Sequence, residues 1–247
     1  FDWSFDLLTE RERVVVRRLA IFSNGFTLEA ASSVCAVEHG EPFAMLDILS
    51  QLVDRSLVVA DTRNAGARYR LLETTRAFAR DKLAEAGETA ALRKRHAQCM
   101  RDLFESAALD YLRLPDAQWR TLYLPERDNV RAALEWSFGA GGETSLGVSL
   151  AGASGALWFE LSLQSEGRHW LETAVATFGE ASAGERACAW LWLGQLWGTA
   201  GPTRAAEAME QAVAIYRSLG DGLLLGTTLF RLPRIWDFMG RFSPGAV

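Results

Sequence analysis

Apolar residues recur at helical spacing in the N-terminal part of the chain. Thr9–Glu12 has the capping-box pattern, so a helix is predicted to start there and to bury apolar residues within Val15–Ala20. Thr27 is predicted to cap a second helix that ends near Cys35, and Pro42 suits the first turn of a third. The inner face of this third helix is predicted to consist of Leu46, Leu49, Leu52 and Val53.

The period of the pattern then changes. Ser56–Ala60 and Arg68–Leu72 are typical of two β-strands, and Asn64–Gly66 between them has the composition of a turn. A helix is predicted at Glu73–Ala86, with Gly87 at its end. Three helices, a hairpin and a helix in this order are typical of a winged helix, which we assign to residues 1–87.

Beyond Gly87 the pattern is helical only. Helices are predicted at Leu92–Leu109 and Glu126–Phe138, and Gly139–Gly142 interrupts the pattern. We therefore predict a mainly α fold. The N-terminal winged helix with its small β-hairpin is followed by a helical linker at residues 88–140, and then by a tetratricopeptide-like α-solenoid at residues 141–247, truncated at its C-terminus.

Internal repetition supports the assignment of a repeat array. Leu171–Ala176 returns as Met209–Ala214, an offset of 38 residues. Recurring helix pairs separated by Gly and Pro are typical of an α-solenoid, and the period exceeds the roughly 34 residues of the common tetratricopeptide unit. Further matches pair Leu193 with Leu232 and Ala200–Gly201 with Met239–Gly240.

The apolar stretch Leu146–Leu163 is similar to a membrane span in composition. It is short for a span, rich in Gly, Ser and Ala, and it contains Glu160, so a buried solenoid helix and no membrane partner are predicted. No signal-peptide pattern follows Phe1, which predicts a cytoplasmic protein. Because an initiator Met is missing and a new segment starts before Val247, we expect the chain to be part of a longer protein.

Composition and motifs exclude several kinds of chemistry. The net charge of −5 argues against a generally basic nucleic-acid footprint. Three widely spaced cysteines and three single histidines match no disulfide framework or metal site, and His96 is predicted on a solvated helix face. Neither Lys82 nor Lys94 lies in a phosphate-binding G-x-x-x-x-G-K-[ST] loop. The chain is therefore predicted not to be an enzyme, with no catalytic residue, metal or cofactor of its own.

One short motif is similar to a catalytic one. Gly152–Ala156 approximates the nucleophile elbow G-x-S-x-G, but its second Gly is displaced and no hydrophobic strand precedes it. We predict that these small residues allow two helices of the array to pack closely.

DNA binding is a function that a winged helix suggests, because its third helix often enters the major groove. The predicted third helix contains Asp47 and Asp54 and no basic residue, whereas the wing contains Arg63, Arg68 and Arg70. Direct DNA reading by this module is therefore kept as an alternative.

The chain contains nine tryptophans, most of them in the repeat region. Their ordinary role is to fill the space between helix pairs, but some can instead line a concave surface that binds a ligand or peptide. The candidates for such a binding surface are Trp158, Trp170, Trp192 and Trp197.

Six short segments, in their order along nearly the whole chain, resemble bacterial STAND-class (NB-ARC-like) ATPases. The resemblance is to the region after the nucleotide-binding domain, in large transcriptional regulators that also carry tetratricopeptide-like arrays. The segments are Asp2–Leu8, Arg17–Phe22, Gly25–Ala31, Leu52–Val58, Arg68–Thr74 and Asp128–Leu134.

This resemblance implies a regulatory and sensor role. It implies that the winged helix packs on a nucleotide-binding domain in a closed, ADP-bound state of the parent protein, which uses ATP and ADP. The repeats would bind a protein or small-molecule inducer, and a separate domain would bind DNA, in a ligand-driven shift between closed and open states.

The resemblance also implies candidate site residues at the end of the winged helix. Arg68, Arg70, Glu73 and Arg76 are the candidates for a domain interface or for positions near the nucleotide. Eukaryotic relatives have a Met-His-Asp motif whose His and Asp fall on Leu72 and Glu73 here, so the His is absent and no nucleotide contact is assigned.

The sequence leaves two other functions open. The chain could be an autonomous winged-helix DNA-binding protein with a helical effector domain, which a salt-dependent gel shift would test. It could also be a pure protein-interaction scaffold, which a phosphate-binding loop encoded upstream would argue against.

Overall fold

The computed structural model describes residues 5, 7–35, 44–62 and 66–229, which fold mainly into helices with a small three-stranded sheet. The chain divides into two units. Unit 1 comprises Phe1–Met100 and Pro125–Trp136, and unit 2 comprises Arg101–Leu124 and Ser137–Val247. No helix among the described residues is long and apolar enough to cross a membrane.

Unit 1 begins with two helices whose N-termini are capped as predicted. Helix α1 is Glu10–Leu19, and Thr9 and Glu12 form a reciprocal capping box at its start. Helix α2 is Leu28–Cys35, and the Thr27 hydroxyl accepts a hydrogen bond from the Ala30 amide at 3.2 Å. These caps supply partners for end amides that have none within the helix.

The third helix, α3, is Ala44–Asp54. Leu49 and Leu52 are buried and Val53 packs on the core, as predicted, but Leu46 is 40% exposed. The prediction for Leu46 was wrong because Met45 and Ile48 occupy the inner side of the first turn. Pro42, predicted for the first turn, lies outside the described residues.

The sheet of unit 1 has three antiparallel strands in the order β1-β3-β2. The predicted hairpin strands are β2, Val58–Asp61, and β3, Arg68–Leu71. A two-residue strand, β1 at Phe26–Thr27, joins the other edge of β3, and the sequence pattern did not predict it. Within the predicted turn, residues 64 and 65 lie outside the described part of the chain.

Helix α4, Glu73–Glu85, completes the winged helix, and Gly87 follows it with a positive φ of +69°. Helices α1, α2, α3 and α4 and the sheet share one apolar core. Its largest fully buried side chains include Phe22, Phe26, Leu19, Leu49 and Leu52.

The remaining elements are helical. They are α5 (Thr89–Asp110), α6 (Asp116–Tyr123), α7 (Arg127–Phe138), α8 (Thr144–Ala153), α9 (Gly155–Glu160), α10 (Gln164–Ala176), α11 (Ala183–Trp197) and α12 (Pro202–Leu219). Short 3₁₀ turns occupy Leu124–Glu126 and Gly198–Ala200. The sequence analysis did not predict α6.

The stretch Leu146–Leu163 is split between α8 and α9 at Ser154, so one solenoid helix was predicted where two are present. Every residue of Leu146–Ala153 is buried. Glu160 accepts hydrogen bonds from the Tyr111 hydroxyl at 2.8 Å and from Nε of Arg120 at 2.6 Å. These two donors satisfy the carboxylate at the end of the apolar stretch.

Unit 2 has the helical, solenoid-like body that the repeat predicted. Leu171 and Ala174 of α10 are buried, and so are Met209 and Ala212, their matches in α12. Helix α11 packs against both α10 and α12, as expected for consecutive helices of an array. The repeat partners Leu232 and Met239–Gly240 lie outside the described residues.

Small residues allow close helix packing in unit 2. A Cβ placed on Gly155 would lie 2.0 Å from Cγ of Trp192. Cβ atoms on Gly167 and Gly194 would meet Leu196 and Met209 at 2.5 and 2.6 Å. This is the packing predicted for the segment Gly152–Ala156, in which Gly152 and Gly155 both face α11.

Candidate interaction surfaces

The exposed face of α3 is acidic. Asp47, Gln51 and Asp54 are exposed, and α3 contains no Lys or Arg. The next basic residue, Arg55, lies 3.5 Å from the buried Glu12 carboxylate and donates to the Leu7 carbonyl. Because affinity for DNA depends on contacts from Lys and Arg to phosphate, this face of α3 is poorly suited to hold a duplex.

The two described arginines of the predicted wing differ in their contacts. Arg68 donates from Nη1 to Oε1 of Glu126 at 2.5 Å, and its side chain is 21% exposed. Arg70 lies two residues further along β3, on the same face of the strand, and is exposed. Arg63 lies outside the described residues.

The start of α4 holds the other two candidate residues, Glu73 and Arg76. Nη2 of Arg76 donates to both carboxylate oxygens of Glu73 at 2.8 Å, and Nη1 donates to the carbonyl of Ser23. The hydrogen bond from Arg76 is the main cause that lowers the pKa of the exposed Glu73. Arg76 therefore ties the start of α4 to the loop after α1. Whether these four residues contact another domain or a nucleotide stays a prediction.

A buried polar network that the sequence analysis did not identify holds Pro125–Trp136 in unit 1. Glu126 and Asn129 are 2% and 0% exposed. The Asn129 amide donates to Oε2 of Glu126 at 2.7 Å and to the Gly25 carbonyl at 2.8 Å, and its oxygen accepts from the Ser23 amide. Asn129 lies in a segment that carried the family resemblance, but its role depends on contacts with residues far away in sequence.

Unit 1 contains a cleft of about 540 Å³ between the end of α1 and helices α4, α5 and α7. Its lining combines two arginines, one carboxylate, a histidine, two hydroxyl side chains and apolar side chains. The lining residues used below are Ile21, Arg80, Leu83, Arg93, His96 and Trp136.

His96 of this cleft is 3% exposed, whereas Arg93, Lys94 and Arg95 are exposed. The prediction that His96 lies on a solvated face was wrong, because its side chain packs against Phe22. The two ring centroids are 5.3 Å apart. Burial lowers the pKa of His96 to about 4, and a hydrogen bond with Asn129 opposes this shift.

Arg80 of the cleft donates from Nε to the Ala20 carbonyl at 3.4 Å. Burial lowers the pKa of Arg80, and the neighbouring charges of Arg76 and Arg93 lower it further, while Glu73 raises it. The cleft thus lies beside a concentration of positive charge.

The four candidate tryptophans of the repeats lie in different environments. Trp158 is fully buried and Trp192 is 6% exposed, which is the burial expected of side chains that fill the core. Trp170 is half-buried and stacks on Phe138 with ring centroids 6.4 Å apart. Trp197 is also half-buried, and a binding role for any of the four stays a prediction.

Two arginine guanidinium groups contact the ring of Trp197. The guanidinium carbons of Arg168 and Arg204 lie 4.5 and 4.7 Å from its ring centroid. Arg168 also donates to the Leu196 carbonyl at 3.0 Å. In the described ranges, no group of three or more His, Cys, Asp or Glu side chains is placed to hold a metal ion.

In comparisons with known proteins, residues 8–84 match the family model described as a winged helix-turn-helix domain. The chain is 37% identical over 234 residues to "Putative HTH-type transcriptional regulator Rv0890c" of Mycobacterium tuberculosis, and the match covers 89% of this chain. It is also 38% identical over 96 residues to "Uncharacterized protein Rv0894" of the same organism, and this match covers 38% of the chain. The chain spans about a quarter of each relative, 26% and 24%.

One solved structure is similar at low identity. It is the crystal structure of a Signal Transduction ATPase with Numerous Domains (STAND) protein with a tetratricopeptide repeat sensor from Pyrococcus horikoshii. The match covers 98% of this chain and 43% of that protein, with a TM-score of 0.35 and 16% sequence identity.

Proposed function

We propose that this chain is the winged-helix and helical-repeat part of a larger transcriptional regulator, and that it transmits a signal rather than reading DNA itself. The similarity to a protein named as an HTH-type transcriptional regulator, over 89% of this chain, supports the regulatory part of the proposal. The observation that carries the signalling part is the acidic exposed face of α3, which lacks Lys and Arg.

In the proposed arrangement the winged helix packs on a nucleotide-binding domain of the STAND, NB-ARC-like kind, which lies elsewhere in the parent protein and binds ATP or ADP. Arg70, Glu73 and Arg76 are the proposed contacts, and Arg68 supports them from its pair with Glu126. The repeats bind a protein or small-molecule inducer, and a separate domain binds DNA. An inducer that binds one conformation better than the other shifts the equilibrium between them.

A DNA-binding titration of the whole chain tests the signalling part of the proposal. We expect no retardation of a mixed-sequence duplex at low salt, where non-specific binding is strongest. The charge-reversed variant Asp47→Lys with Asp54→Lys is the matched comparison, because it adds two basic groups to the same face of α3. Salt-dependent binding by the unaltered chain, lost when Arg70 is changed to Gln, would contradict the proposal.

A second candidate, an autonomous DNA-binding factor, is favoured by the match of residues 8–84 to a winged helix-turn-helix domain. The same titration separates the two, since only this second candidate requires binding by the chain alone. The coding sequence upstream of Phe1 provides an independent test. A G-x-x-x-x-G-K-[ST] loop there supports the nucleotide-linked proposal, and its absence favours a DNA-binding factor or a scaffold.

A further inference from the structure

The cleft of unit 1 has the size of a small-molecule site. Its volume of about 540 Å³ lies within the range of about 300–1,000 Å³ that is usual for ligand pockets. All of its lining residues belong to unit 1, from the end of α1 and from α4, α5 and α7. The cleft is therefore formed by one packed body.

The charges of the cleft favour an anion. Of the residues that line it, Arg80 and Arg93 are basic and Glu135 alone is acidic. Arg80 uses one of its five side-chain N–H donors on the Ala20 carbonyl, and the side chain of Arg93 forms no hydrogen bond or ion pair with another described residue. Each guanidinium thus retains donors that suit a carboxylate.

His96 adds a buried ring nitrogen, Nε2, without a hydrogen-bond partner in the described part of the chain. It is 3% exposed, it lines the cleft, and its Nε2 has no hydrogen-bond partner among the described residues. A buried polar atom of this kind is costly unless a partner reaches it. A hydroxyl group can donate and accept, so it satisfies Nε2 in either neutral tautomer of the ring.

Most of the remaining lining is apolar, with Ser23 and Thr89 as the polar exceptions. Ile21, Leu83 and Trp136 line the cleft together with several alanines, and the indole of Trp136 is half-buried. Such walls bind the hydrocarbon or aromatic body of a ligand, whereas the few polar groups orient it.

We propose that this cleft is a binding site for a small organic acid with an apolar body and a hydroxyl group. Arg80 and Arg93 hold the carboxylate, His96 pairs with the hydroxyl, and Trp136 and Leu83 contact the body. The inference is independent of the signalling role proposed above, because it depends only on the lining of unit 1.

The test uses the whole chain and 4-hydroxybenzoate as the probe, with binding measured by isothermal titration calorimetry and by saturation-transfer NMR. A ligand of this size is expected to bind with a Kd of about 1 mM. Benzoate, which lacks the hydroxyl, and 4-hydroxybenzyl alcohol, which lacks the charge, are each expected to bind at least about fivefold more weakly.

Two variants of α5 complete the experiment. Arg93→Gln is expected to weaken the binding of 4-hydroxybenzoate by at least about fivefold. Arg95 is exposed on the same helix but does not line the cleft, so Arg95→Gln is expected to leave the affinity for 4-hydroxybenzoate unchanged. Because His96 is in the core, its role is read from the unaltered chain, in which its Nε2 resonance is expected to move only with hydroxylated probes. No saturable binding up to about 10 mM, or equal weakening by both variants, would overturn the site. Equal affinity for benzoate would overturn the role of His96.

Discussion

The guanidinium of Arg68 in β3 donates to the carboxylate of Glu126, a residue that the chain reaches only after three further helices. Glu126 is 2% exposed and also accepts from Asn129, so its carboxylate is satisfied inside unit 1. The pair fixes the wing strand to the segment that starts α7. Through this ion pair Arg68 stabilises unit 1.

Changing Arg68 to Met should therefore destabilise unit 1. The variant leaves the buried Glu126 carboxylate without its cation, and the expected cost is about 3 kcal/mol of unfolding free energy. Arg70→Met is the control, since Arg70 is exposed on the same face of β3 and should change stability by less than about 0.5 kcal/mol. Urea denaturation followed by circular dichroism measures both, and similar losses in the two variants would contradict the importance of the pair.

His96 should make stability depend on pH. Its pKa is about 4 in the folded chain and 6.5 as the ordinary value, so between these values the unfolded chain binds the additional proton. The contribution of neutral His96 to the free energy of unfolding is fully present above pH 6.5 and decreases as the pH falls toward 4. The largest loss corresponds to about 3 kcal/mol.

Comparison with His96→Gln isolates this effect from the titration of carboxylates. The free-energy difference between the unaltered chain and the variant should shrink as the pH falls from 6.5 to 4. An NMR titration of the His96 ring should show protonation only near pH 4. A pH-independent difference between the two chains would mean that His96 is not buried in its neutral form.

Glu88 should stabilise unit 1 through the end of α1. It accepts from Arg18 at 2.9 Å and from Arg17 at 3.2 Å, and the hydrogen bond from Arg18 is the main cause that lowers its pKa to about 2. Its contribution is present above pH 4.5 and is lost as the pH falls toward 2. Glu88→Gln should cost on the order of 1 kcal/mol at pH 7, reduced by the partial exposure of the group.

The exposed Glu85, which pairs with Lys82 at 2.8 Å, provides the control for Glu88. Glu85→Gln should change stability by less than about 0.5 kcal/mol at pH 7. Thermal denaturation of both variants at pH 7 and pH 3 measures the effect. If Glu88→Gln lowers the stability of the chain by as much at pH 3 as at pH 7, the ion pairs of Glu88 are not the source of that stability.

Gly155→Ala should disrupt the core of unit 2. The new methyl group would lie 2.0 Å from Cγ of Trp192, which is buried and cannot move aside without displacing α11. The expected cost is about 2–3 kcal/mol. Gly184→Ala is the matched control, because its nearest neighbour is Oγ of Ser182 at 4.0 Å and alanine favours a helix. Urea denaturation should show the first variant destabilised and the second unchanged or more stable.

The features that the sequence predicted correctly are those with local causes. The capping box at Thr9 and the Thr27 cap each link residues three positions apart, so their spacing is visible in the chain itself. The strands around the wing have a period that contrasts with the helices on either side. Helix α6 was missed although Pro115 and Asp116 mark its start, because its apolar pattern is short.

Features that depend on distant residues could not be predicted in the same way. Strand β1 is two residues long and exists through its pairing with β3. The burial of His96 and the roles of Glu126 and Asn129 depend on which helices pack together, and a single sequence does not give that arrangement. The cleft was missed for this reason, since its lining comes from three separate helices and from the segment that follows α1.

The return of residues 125–136 to unit 1 makes this unit, which contains the winged helix, discontinuous in sequence. A recombination event that transferred only the continuous segment 8–84 would transfer Arg68 with it. Glu126, the partner of Arg68, and Asn129 would be left behind. Exchange of an intact module between related proteins would need the intervening helices as well. Shuffling of this module is therefore expected to conserve a longer block than the winged helix alone, and to preserve the pairing of position 68 with position 126.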